Sequence, residues 1–170
     1  MIQFVGSALI IVAFSACGML FARTYRERPK QIRQWRSALQ SIETEIVYGR
    51  VPVEELAGRL SGRLPEPVRR FFVLLVDKLR TGIPLDTAWE EAIREFWPTT
   101  SMRRAERDVI LQFGATLGAE DTENQQKHIR LALADLEREE AEARAGQAAN
   151  EKVFRNLGFL AGVLLVLLLL

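Results

Sequence analysis

The chain of 170 residues carries 23 Lys and Arg against 22 Asp and Glu, a formal net charge of +1, so it lacks the cationic excess of a nucleic-acid binder. Its single Cys excludes an internal disulfide, and its single His leaves no zinc ligand set. No Gly-rich phosphate-cradling loop is present, so no metal or cofactor site and no catalytic residue is expected.

The charges are unevenly placed. Ile2 to Ala22 and Leu157 to Leu170 contain no Lys, Arg, Asp or Glu, and every charged side chain lies between them. As a helix the first segment spans roughly 31 Å, close to the hydrocarbon thickness of a bilayer. The second reaches about 27 Å if Val153 and Phe154 join it and Arg155 snorkels. The expectation is a transmembrane helix at 2–22, a cytoplasmic helical bundle and stalk at 23–152, and a second transmembrane helix at 153–170. Arg23, Arg26, Arg28, Lys30, Arg33 and Arg36 follow the first span, and Lys152 and Arg155 precede the second. Basic flanks are retained in the cytoplasm, so the middle region is placed there and both termini outside. A cleaved signal peptide would need a basic segment ahead of the apolar run, and none is present.

Between the spans apolar residues recur at helical spacing, and Gly and Pro divide the region into about six helices, an all-α fold. The first begins near Pro29 and buries Ile32, Trp35, Ala38, Leu39, Ile42 and Ile46 before Gly49 ends it. Pro52 opens a short second helix with Leu56 and Leu60, closed by Gly62 and Pro65. The third runs from Pro67 to Thr81-Gly82 and is apolar on more than one side (Val68, Phe71, Phe72, Leu74, Leu75, Val76, Leu79), which suits the centre of a bundle.

In GIPLDTAWEEA, Thr87 and Glu90 have capping-box spacing, and the fourth helix buries Ala88, Trp89, Ala92, Ile93 and Phe96 until Pro98 breaks it. Ser101 is placed to cap a fifth, with Ala105, Val109, Phe113 and Leu117 on its inner face, ending near Gly118. The last helix starts near Asp121 or Thr122 and packs through Ile129, Leu133 and Leu136. From Glu140 onward its pattern is that of a solvated stalk that can run unbroken into the second span.

His128 reads as a surface or helix-packing residue. The adjacent pairs Glu54-Glu55, Glu90-Glu91 and Glu139-Glu140 point about 100° apart on a helix and read as solvated faces. Trp35, Trp89 and Trp97 fall at helical spacings and read as mostly core.

Several stretches carry a more specific signal: ERPKQIRQWRSALQSIETEIVYGRVPVEELA, TAWEEA, LQFGATLGAEDTENQQKHIRLALADLE and NEKVFRNLGFLAGVLLVLLLL. Through them the chain resembles the stage III sporulation protein AB family of endospore-forming bacteria. That family's cytoplasmic region in turn resembles the helical domain of the platform (F) protein of type II secretion and type IV pilus systems. In LRTGIPLDTAWEEA, Gly82, Leu85 and Ala88 match the platform family's turn between helices. The resemblance implies a component of the channel complex that joins mother cell and forespore, in the mother-cell membrane around the forespore. It also implies contact with a secretion-type sporulation ATPase on the cytoplasmic side and with other channel-complex membrane proteins.

The expected function is therefore a non-enzymatic platform or scaffold. Arg33 and Arg36 on the basic first helix, and Gly82, Pro84 and Leu85 in the turn, are the candidate docking residues. Gly158 and Gly162 form a G-x-x-x-G pair suited to membrane helix packing, including self-association. A small pore-forming or transport protein whose spans oligomerise is the alternative, and the absence of ionisable residues in either span counts against it. A lipid- or wall-modifying enzyme lacks any convergent set of reactive groups.

Overall fold

The computed structural model of the chain describes residues 2–46, 51–118 and 122–169, with only some of the side chains toward the two ends. It is all-helical: α1 (Ile2–Thr44), α2 (Val53–Arg63), α3 (Val68–Arg80), α4 (Leu85–Phe96), a 3-10 turn (Trp97–Thr99), α5 (Arg104–Thr116) and α6 (Thr122–Leu169). Two compact units result: Met1–Pro29 with Glu142–Leu170, and Lys30–Ala141. Among the described residues no helix is long and apolar enough to cross a membrane. The side chains of the two expected spans fall mostly outside those described.

The core of the Lys30–Ala141 unit forms around Trp35. Its ring centroid lies 4.8 Å from that of Phe71, 5.9 Å from Phe72, 6.0 Å from Phe96 and 6.4 Å from Trp89. Aromatic pairs at these distances add to the burial of large apolar areas, which is the main force holding such a bundle. On α1, Ile32, Trp35, Ala38, Leu39 and Ile42 are all buried, the stripe expected from their spacing. Helix α3 packs against α2 and against α4, and α4 against α5, so α3 holds a central place. Its burial is nonetheless one-sided: Val68, Phe71, Phe72, Leu75 and Val76 are covered while Val73 is exposed.

The structure departs from the sequence expectation in four places. First, α1 does not begin at Pro29; the helix runs through it, and Pro29 is buried. A helix-interior proline costs about 3 kcal/mol through its missing N–H and its clash with the preceding turn. The burial of the whole Ile32-to-Ile42 stripe outweighs that penalty. Second, α4 starts at Leu85 with Pro84 at its N-cap, so Thr87 lies inside the helix and makes no capping box with Glu90; its N–H bonds to Asp86 Oδ1 at 2.7 Å.

Third, α5 is capped two residues later than expected. The Arg103 N–H donates to Glu106 Oε2 at 2.7 Å, while the Ser101 N–H donates to Gln31 Oε1 at 2.8 Å. Glu106 is drawn wholly inside by this bond, and the buried face of α5 rotates with it to Glu106, Ile110, Phe113 and Gly114. Ala105 is left exposed. Fourth, Glu139 and Glu140 are buried, not solvated. Helix α6 runs without a break from Thr122 to Leu169.

One packing detail fixes the α4–α5 contact. Gly114 faces the Trp89 indole so closely that a Cβ there would collide with the ring, and Trp89 Nε1–H donates to the Ile110 carbonyl at 3.1 Å. The glycine is required for that close approach.

Candidate docking surfaces

Arg33 and Arg36 lie three residues apart on α1, one above the other on the same helix face. Glu137 and Glu140 have the same spacing on α6. The two pairs meet: Arg33 Nε lies 3.0 Å from Glu140 Oε1, an Arg36 terminal nitrogen lies 2.6 Å from Glu140 Oε2, and its other nitrogen lies 3.4 Å from Glu137 Oε1. Further along, Arg130 Nε lies 3.3 Å from Glu43 Oε1. As residue numbers rise on α1 they fall on α6, so the two helices run antiparallel within this unit.

Burial sorts these pairs by strength. The Glu140 side chain is 2% exposed, against 24% for Arg36 and 61% for Arg33. A carboxylate removed from water requires charged partners, and two guanidinium groups supply them. Glu137 and Arg130 are largely exposed, and pairs of that kind contribute little. The arginines singled out from the sequence thus hold an internal carboxylate, although Arg33 still presents much of its side chain to solvent. Glu140 itself escaped sequence reasoning. The matched i, i+3 spacing of 33/36 and 137/140 was visible, but nothing local told which helices would be opposed.

The second candidate surface is the turn between α3 and α4. The Gly82 N–H bonds to the Leu79 carbonyl at 3.0 Å and the Ile83 N–H to the Lys78 carbonyl at 3.3 Å, the paired bonds of a Schellman helix end. Gly82 has φ +83°, a left-handed conformation that favours glycine, and nothing lies within 4 Å of where a Cβ would sit. Gly82 and Pro84 are exposed; Leu85 is half-buried, with Cδ2 3.4 Å from where a Cβ on Gly118 would sit. The glycine's conformation is explained by the helix stop, and Gly82 and Pro84 are exposed on either side of half-buried Ile83.

Gly158 and Gly162 lie one turn apart on α6. At about 100° per residue they fall on roughly the opposite side of the helix from Leu157, Leu160 and Leu164, which are exposed. His128 is half-buried and lines a shallow depression of about 120 Å³ between α5 and α6 with Phe113, Leu131 and Asp135. Among the described residues no group of three or more His, Cys, Asp or Glu could hold a metal ion.

Comparison with known proteins agrees with this architecture. The family described as stage III sporulation protein AB matches residues 3–170. The stage III sporulation protein AB of Bacillus subtilis (strain 168) is 46% identical over 171 residues, covering all of both chains. A solved structure of a stage III sporulation protein AB (SpoIIIAB) superposes with a TM-score of 0.69 at 44% identity, covering 72% of this chain and 98% of that one.

Proposed function

The chain belongs to the stage III sporulation protein AB family, and from that premise we propose that it is a non-enzymatic, membrane-anchored scaffold of a sporulation channel complex. In this reading the two uncharged ends span the mother-cell membrane around the forespore, and the helical unit between them lies in the cytoplasm. The observation that carries it is the partition of the chain: the uncharged segments from the two termini, together with the charged stretches that adjoin them, share one compact unit, and Lys30–Ala141 forms another. Two apolar helices gathered in this way suit a paired anchor in lipid. The basic residues that flank both segments favour a cytoplasmic middle.

The cytoplasmic unit offers a docking surface for a secretion-type ATPase at the turn through Gly82, Pro84 and Leu85, with exposed Arg33 as a second contact. Arg36 contributes to the unit's own stability through Glu140. Channel-complex membrane proteins, or further copies of the chain, would meet the anchor.

The test is retention of the cognate ATPase by the purified full chain in detergent, with wild type compared against Pro84→Glu and Arg33→Gln. Neither arginine is reversed, because a carboxylate at either position would lie against buried Glu140 and confound binding with folding; Arg33→Gln keeps a neutral hydrogen-bond donor there. Retention by wild type and at least tenfold weaker retention by Pro84→Glu are expected. Retention unaffected by either change would remove both docking surfaces. Single cysteines introduced at exposed Arg94 and Arg104 must be reachable by an impermeant thiol reagent only after the membrane is opened; labelling in intact cells would overturn the topology.

A further inference from the structure

The three arginines that follow the first apolar segment do not share one environment. Arg28 is buried and reaches Glu142 at 3.8 Å within the unit formed by the two chain ends. Arg23 and Arg26 are exposed, and no described side chain pairs with either. On a helix at about 100° per residue, Val12, Ala16, Arg23 and Arg26 fall within roughly 80° of one another. All four are exposed, so at the described positions this side of α1 is apolar at Val12 and Ala16 and cationic at Arg23 and Arg26. The rise from Val12 to Arg23 is about 16 Å, half the hydrocarbon thickness of a bilayer.

Helix α6 carries a matching apolar face. Among the described residues of this unit, Val153, Leu157, Leu160 and Leu164 are its exposed large apolar ones. Their spacings of four, three and four place them within roughly 60° of one another and along a similar 16 Å. With Arg23 at the level of the lipid headgroups, Val12 would reach the bilayer midplane.

We propose that Arg23 and Arg26 form a binding site for the phosphate groups of anionic phospholipids, whose acyl chains cover the exposed apolar faces of α1 and α6. The proposal rests on the membrane-anchored reading above and goes beyond it in naming a ligand class and two residues. Guanidinium groups match phosphate oxygens bidentately and stay charged at all relevant pH values. Arg23 and Arg26 lie about 4.5 Å apart along the helix axis, close enough to serve one headgroup or two neighbours. Each basic side chain near an anionic membrane surface changes partition by roughly fivefold, so two give roughly 25-fold.

The full chain is reconstituted into vesicles of phosphatidylcholine, with or without phosphatidylglycerol, and floated after an alkaline wash. Lipids that remain bound after detergent extraction are then counted by native mass spectrometry. Wild type is expected to float with both vesicle types and to retain phosphatidylglycerol over phosphatidylcholine. Arg23→Gln/Arg26→Gln is expected to float equally but lose roughly 25-fold of that preference, and Arg23→Lys/Arg26→Lys to keep most of it. Equal flotation with no lipid preference, or a preference untouched in the glutamine variant, would overturn the lipid site while leaving the anchor standing. Failure to float with either vesicle would remove the anchor and the lipid site together.

Discussion

Arg36 places a guanidinium nitrogen 2.6 Å from the carboxylate of Glu140, 104 residues away in the sequence, and that carboxylate is almost entirely shielded from water. The two arginines facing it help make a charge on Glu140 tolerable there. Removing one member of a fully buried ion pair costs about 3–5 kcal/mol. The exposure of Arg33 reduces the figure here, and Glu140→Ala or Arg36→Met is expected to lower stability by about 2–3 kcal/mol. The triple change Arg33→Met/Arg36→Met/Glu140→Leu is expected to be closer to neutral, since it leaves no buried charge behind. Denaturant unfolding of the purified chain in detergent checks the order, and a triple variant weaker than either single one would refute it.

Gly114→Ala is expected to be among the most damaging small substitutions in the chain, at about 3 kcal/mol, because its Cβ would meet the Trp89 ring. The cost should be non-additive with loss of the indole: in Trp89→Leu/Gly114→Ala the alanine has room. Equal alanine penalties in the two backgrounds, measured by thermal unfolding, would contradict the packing described.

At Gly82 the expectation is milder. Alanine meets no neighbour there but must adopt the left-handed conformation of the Schellman turn, a cost of about 1–2 kcal/mol. If ATPase docking uses this turn, Gly82→Ala should change stability by that amount while leaving binding nearly intact, whereas Pro84→Glu should do the reverse. Measuring both properties on both variants separates the structural from the recognition role.

Lys78 reaches Glu91 at 3.1 Å and Glu95 at 2.7 Å. Hydrogen bonds to Glu95 and then Glu91 hold its ammonium above the ordinary lysine value of 10.5. Because the folded-state value is raised, the stabilisation is complete below the unfolded lysine value and is lost as pH rises through the folded one. Wild type should therefore exceed Lys78→Met by about 1 kcal/mol at neutral pH, with the difference shrinking on the alkaline side of the ordinary lysine range. Chemical denaturation at several pH values checks this; a gap that widened with rising pH would show the sign to be wrong.

Much of the helical unit could be read from local pattern alone. The buried set of α4, Ala88, Trp89, Ala92, Ile93 and Phe96, follows from spacing. The limits of α2 and α3 follow from the prolines and glycines around them. What could not be read was set by partners distant in sequence. Burial of Glu140 depends on arginines more than 100 residues away, and the face of α5 is turned by the capping demand of Glu106 together with the slot that Trp89 needs at Gly114. At Pro29 local chemistry favours a helix start, whereas the apolar stripe that follows sustains a continuous helix. The candidate docking residues were legible as exposed or charged positions, but not the division of labour between Arg33, open to solvent, and Arg36, turned to Glu140.

The bond from the Ser101 N–H to Gln31 Oε1 reaches from a connecting segment to a residue 70 positions earlier, and Gln31 is itself buried. Amides in such segments ordinarily exchange their hydrogens with solvent quickly, through small local openings. Ser101 should not. Its amide is released only when α1 moves away from the connection, so its exchange rate reports detachment of that helix from the rest of its unit. One backbone proton between two helices can thus serve as a gauge of whether a partner loosens or tightens the bundle.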